Sequence, residues 1–181
     1  MIVALAGAAV ALLLVPPLPD GPLGGNDAAP NRIAFAVDPD RSFSYGLLLL
    51  ENRSPTAVRL GAVELLSARG GLRLVSAATR RMSDLPDLGL VANERAFPPA
   101  SLAGVLLPLA GSEVPPFGAP GDGVELVLEL RASGDEAGFD GLAVRYAQAG
   151  REYRATFPFA LRVCTPRSAA CRVEPPGSVV Y

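Results

Sequence analysis

The chain reads as an all-β protein, an antiparallel β-sandwich of about seven or eight strands behind an N-terminal hydrophobic helix. Three observations predict this. Past residue 30 most of the sequence alternates apolar and polar residues with a period of two. Glycine, proline, asparagine and aspartate cut that alternation into short runs. No long segment of this part carries a helical stripe.

The first element is the exception. Met1 to Pro19 contains no charged side chain. Its apolar run, Ile2 to Val15, has the length of a signal-peptide core, and Pro16, Pro17 and Pro19 end any helix. As a helix Met1 to Val15 spans roughly 22 Å against ~30 Å of hydrocarbon, so residues 1–19 read as a signal peptide or a membrane anchor. A buried core helix is also compatible with an apolar run of this length. The first arginine is Arg32, so the positive charge of a signal comes from the α-amino group or from a basic stretch ahead of Met1. Ala28 and Ala29 form a weak small-residue cleavage site followed by Pro30. On this reading residues 20–30 are a flexible linker, 31–164 the sandwich, and 165–181 a C-terminal segment with a disulfide loop.

Arg32 to Val37 and Phe43 to Glu51 are the first two strands, joined through Asp38, Pro39 and Asp40; Phe43, Tyr45, Leu47 and Leu49 are expected to share a face. Asn52 to Pro55 is a turn signal, and Val58 to Ser67 follows, with Gly61 a bulge that resets the alternation to Val63 and Leu65. Leu72 to Thr79 comes after Gly70 and Gly71. Val124 to Ala132 is the cleanest strand, with Val124, Leu126, Leu128 and Leu130 inward and Glu125, Glu129 and Arg131 in water. Leu142, Val144 and Tyr146 alternate against Arg145, and a short link containing Gly150 turns into Glu152 to Val163. There Tyr153, Ala155, Phe157, Phe159, Leu161 and Val163 face inward, and Pro158 marks an edge or a bulge.

Between Arg80 and Gly123 the order weakens. Pro86, Pro98, Pro99, Pro108, Pro115, Pro116 and Pro120 interrupt it, leaving one plausible strand at Ser101 to Leu107. A connection this long is either functional or an irregular edge crossing.

Composition excludes more than it suggests. Without histidine there is no Ser-His-Asp triad and no histidine metal site; without lysine there is no Schiff base and no Ser-Lys dyad. All basic residues are arginine, a mark of high-GC codon usage, and the net charge of −2 is spread without blocks, so no nucleic-acid partner is expected. No cofactor is expected either. Cys164 and Cys171 are the only cysteines, and in an oxidising compartment they pair. The short loop they close contributes roughly 2.5 kcal/mol in the chain-entropy model, enough to pin the C-terminal segment and not the whole fold.

The segment LLENRSPTAVRL, the short strands after it, and GFDGLAVRY leading by a glycine hairpin into REYRATFPFALRVC resemble the immunoglobulin-like sandwiches of membrane-anchored proteins in high-GC bacteria. The resemblance covers roughly Arg32 to Cys171. It implies an immunoglobulin-like sandwich with Tyr146 placed to act as a tyrosine corner over the turn from Asp135 to Gly141. The inter-sheet disulfide of such folds has no counterpart, because Cys164 and Cys171 lie too close in sequence.

Three groups of residues are site candidates. Asp135, Glu136 and Asp140 form the densest acid cluster and a weak calcium candidate; solvated acids in a turn are the common alternative. A carboxylate-only glycosidase needs two acids at a fixed separation, and no spacing among Glu51, Glu64, Asp84, Asp87, Glu94 and Glu113 selects a pair. The apolar stretch Leu102 to Phe117 ends in Val114, Pro115, Pro116 and Phe117, a corner that marks a partner contact if it is exposed. The expectation is therefore a non-enzymatic extracytoplasmic module, tethered to the membrane by its N-terminal segment and contacting an envelope protein. A small-ligand or calcium-binding domain and a carboxylate-dependent cell-wall hydrolase are the alternatives.

Overall fold

Alternation becomes strand in the places where it is regular, and loops add short strands of their own. The computed structural model of the chain describes residues 18–25, 32–84, 93–94, 96–118, 123–165 and 168. Most of the N-terminal segment expected at residues 1–19, with its apolar run Ile2 to Val15, and Cys171 lie outside them.

One sheet consists of β3 (Ser42–Asn52), β9 (Val124–Arg131) and β5 (Arg73–Arg81), edged by β1 (Leu23–Gly25), β6 (Asn93–Glu94) and β7 (Leu107–Pro108); its order is β1-β3-β9-β5-β7, with β6 also on β3. Facing it are β4 (Val58–Leu66), β8 (Glu113–Val114), β11 (Gly141–Gln148) and β12 (Arg151–Phe157), in the order β12-β11-β4-β8. A third sheet, β10-β13-β2, joins β10 (Glu136–Phe139) and β13 (Ala160–Cys164) to β2 (Arg32–Ala36), and β2 runs parallel to β13. The second and third sheets share one long hairpin. Its turn is Ala149 (φ 48°) and Gly150 (φ 77°), two left-handed residues in the geometry that matches strand twist.

Glu152 to Val163 is therefore two strands, β12 and β13, broken at Pro158. Leu142 opposes Phe157 while Phe139 opposes Leu161, so two residues on one arm face three on the other. Proline has no N–H for the ladder, and the chain bulges there. Of the inward set, Ala155, Phe157, Phe159, Leu161 and Val163 are buried as expected and Tyr153 is half-buried. Gly61 is likewise the extra residue of a bulge, since Arg145 opposes Ala62 and Tyr146 opposes Leu60.

A third bulge was not visible in the alternation. The register of β3 on β9 shifts between Tyr45 and Leu48, so Leu48 and Leu50 join Phe43 and Tyr45 in the core, while Leu49 turns outward. Tyr45 joins the layers: its ring lies 6.1 Å from that of Phe139 and 5.5 Å from that of Phe159. Burial pushes its phenol pKa far above the ordinary value.

Both open sides of the sandwich are strapped. On one side residues 18–25, expected to be mostly linker, cross from β12, where the Arg154 N–H donates to the Pro19 carbonyl at 3.2 Å, to β3, where Leu23 pairs with Asn52. The hydroxyl of Tyr146 accepts from the Leu23 N–H at 3.3 Å. Tyr146 thus holds this strap and does not close the Asp135–Gly141 turn as a tyrosine corner would. On the other side β7 pairs with β5 and β8 with β4, so Leu107 to Val114 crosses between the sheets.

The stretch Ser101 to Leu107 is not a strand. It begins in a 3-10 turn, Ala100–Leu102, and places Leu102 on Val127, with Phe97, Val105 and Leu106 packed around them. This cover lies over the outer face of the first sheet, the face that alternation assigned to water. Glu125 is accordingly buried. It opposes Arg80 across β9 and β5, and the Arg80 Nε donates to its Oε2 at 2.6 Å with both side chains 0% exposed. On the same face Ser76 donates to Glu129 at 2.7 Å, and Ser44 bonds the Ala96 carbonyl of the cover.

Candidate contact surface

Asn52 organises one end of the sandwich. It is the last residue of β3 and is fully buried, and its side chain uses both donors and both acceptor positions. Nδ2 donates to the carbonyls of Thr56 at 2.7 Å and Val114 at 3.1 Å, while Oδ1 accepts from the Ser54 N–H at 3.0 Å and the Ser54 hydroxyl at 2.8 Å. This is how the NRSP signal makes a turn: the asparagine replaces the missing backbone partners. Gln148 reinforces it, donating to the Thr56 carbonyl at 3.0 Å and also bonding Ser54.

The same residue fixes the corner Val114–Phe117. β9 starts at Val124 opposite Leu50, which leaves that side of Asn52 open; Pro116 bridges to Asn52 in parallel, and the Phe117 N–H donates to its carbonyl at 2.8 Å. Val114 is core and Pro115 half-buried, whereas Pro116 is exposed and Phe117 is 47% exposed. Of the four residues expected to form a contact, only Pro116 and Phe117 present themselves to the outside, with Pro115 at their rim. The arrangement is a rigid backbone holding out an aromatic ring. It suits recognition, because little further ordering is needed on binding.

The acid cluster does not converge. Asp140 pairs with Arg69 at 2.7 Å, Glu136 with Arg162 at 2.9 Å, and Asp135 accepts from Thr165 at 2.8 Å. The hydrogen bonds from Arg162 and then Ser168 hold the Glu136 carboxyl below its ordinary pKa. No group of three metal-ligating side chains occurs among the described residues. These acids tie the β10 end of the hairpin to its surroundings. Cys164 ends β13 opposite Glu136, and no free cysteine occurs among the described residues.

Sequence reasoning missed a groove of about 290 Å³ on the outer face of the β12-β11-β4 sheet. Its floor is Gly61, Ala62 and Ala147, its rim Arg59, Arg145 and Glu152, and Leu18 lies against it. The Gly61 bulge was the available signal, since a glycine beside an alanine on a solvent face leaves room between longer neighbours. Beside it Tyr146 and Tyr153 stack at 5.5 Å, and burial raises the Tyr146 pKa above the ordinary value.

No protein family and no curated protein matches the chain. Among solved structures, it is similar to the Vibrio cholerae VesB protease, with 12% identity and a TM-score of 0.35 over 80% of this chain and 32% of that one. It is also similar to the CooA pilin subunit from enterotoxigenic Escherichia coli, with 13% identity and a TM-score of 0.34 over 82% of this chain and 99% of that one. Neither likeness bears on function at such scores. Among the described residues no helix is long and apolar enough to cross a membrane.

Proposed function

We propose that the chain is a non-enzymatic extracytoplasmic module of immunoglobulin-like type, tethered to the membrane by its N-terminal segment, that contacts a partner protein of the cell envelope. The strand order supports the immunoglobulin-like part. With β1, β3, β9 and β5 in one sheet and β12, β11 and β4 in the other, the arrangement matches the A-B-E-D and G-F-C layers of that fold. The uncharged run Met1 to Pro19 supports the tether, and a Cys164–Cys171 disulfide fits the oxidising side of the membrane.

The observation that carries the contact reading is Phe117, exposed on a backbone that buried Asn52 clamps. Covalent capture on intact cells with a membrane-impermeant cross-linker tests it. A tagged wild-type chain should yield one reproducible membrane partner, and Phe117→Ser should lose it while keeping the wild-type melting temperature. Undiminished capture by the variant removes the corner from the interface, and no labelling at all refutes the extracytoplasmic address.

A further inference from the structure

We infer that the outer face of the β12-β11-β4 sheet, around the groove beside Leu18, rests on the lipid headgroup surface of the bilayer; the inference rests on the tether proposed above and names which face that tether holds to the membrane. The argument is one of chain length. The apolar run ends at Val15, Leu18 already lines the groove, and the Pro19 carbonyl is held by the Arg154 N–H. Three steps separate Val15 from Leu18, and fully extended they span at most about 11 Å.

That length admits no free linker. Headgroup regions are about 5–8 Å deep on each side of the hydrocarbon, so whatever surrounds Leu18 lies within or against them. Nor does the strap have slack to release. Gly21 passes so close to the Tyr146–Tyr153 stack that a Cβ there would meet the Tyr146 hydroxyl and come within 2.7 Å of the Tyr153 ring. Gly24 and Gly25 then pair with Glu51 and Leu50.

The chemistry of the face suits phosphate. Arg59, Arg145 and Arg154 project from it, with Glu152 at the rim of the groove. Their acid partners hold them at the surface: Arg59 pairs with Glu113 at 3.5 Å with side chains 67% and 51% exposed, and Glu64 is shared by Arg145 and Arg154 at 2.5 and 3.7 Å. Guanidinium groups so placed can exchange an exposed carboxylate for a lipid phosphate at little cost. The opposite outer face, on β9 and β5, is partly covered by residues of the 96–106 segment.

The chain contains no tryptophan, so a single introduced indole reports its own surroundings. Ala62→Trp places one on the exposed groove floor, Glu152→Trp places one on the rim should the first variant fold poorly, and Val75→Trp places one on the other sheet, where Val75 is 50% exposed. The full-length variants are reconstituted in phosphatidylcholine–phosphatidylglycerol vesicles containing headgroup-nitroxide lipid and floated on a density gradient. The expected result is loss of most emission for Ala62→Trp or Glu152→Trp and its retention for Val75→Trp. Flotation with unquenched groove variants, or with stronger quenching of Val75→Trp, overturns the orientation and leaves the tether standing; failure to float overturns the tether and the orientation with it.

Discussion

The two outer faces of the sandwich carry the same kind of residues and meet opposite fates. On β9 and β5 the Arg80–Glu125 pair is 2.6 Å long and fully buried; on β11 and β4 the Arg145–Glu64 pair is 2.5 Å long with its side chains 54% and 41% exposed. Alternation placed Glu125 and Arg145 identically, away from the core. On the first face the segment containing Leu102 packs against Val127, and among the described residues the second face carries no such cover. A strand pattern states which side chains leave the core, and the rest of the chain decides whether they reach water.

The largest effect follows from that burial. Removing Glu125 takes the carboxylate from beside the buried Arg80 guanidinium, so Glu125→Ala should lose about 3–5 kcal/mol in urea unfolding, whereas Glu64→Ala should lose less than about 1 kcal/mol. Equal losses would break the comparison. The double replacement Arg80→Met with Glu125→Leu sharpens it, since it should recover much of the stability lost by Glu125→Ala alone.

Next comes the cover itself. Leu102 is fully buried on Val127, and Leu102→Ala should cost about 2–5 kcal/mol, read from the same unfolding curves. A loss comparable to that of Glu64→Ala would mean that the segment lies on the face without packing against it.

The smallest effect concerns the acids of the β10 end. The folded state holds the Glu136 carboxyl below its ordinary pKa through Arg162 and Ser168. A depressed carboxylate stabilises the fold above its unfolded pKa, about 4.3, and that contribution fades as pH falls through the folded value. Melting temperatures from pH 6 to pH 3 should therefore fall more steeply in wild type than in Glu136→Gln. Parallel curves would show that the bonds to Glu136 add nothing to stability.

Much of the fold was legible because its signals are local. Asn52 to Pro55 announced a turn, Gly150 a hairpin and Gly61 a bulge, and each signal is carried by residues within a few positions of one another. The Tyr45 to Leu48 bulge was hidden by an unbroken run of leucines, in which a one-residue slip leaves the hydrophobic pattern unchanged. The contact corner was half legible. Its apolar character was evident from Val114 to Phe117, but which of the four residues turns outward depends on Asn52, more than sixty positions earlier.

Residue order alone determined the strand pattern, the hairpin, the uncharged N-terminal run and the reactions ruled out by the absence of histidine and lysine. These follow from backbone preference, side-chain period and chemical inventory, which a short window or a count contains. Tertiary structure decided that residues 18–25 strap the sandwich, that Tyr146 serves that strap, that Arg80 and Glu125 are enclosed, and that the groove beside Leu18 stays open. Each depends on which distant segment lies against a given face, and burial is set by that meeting of segments, which local periodicity does not encode.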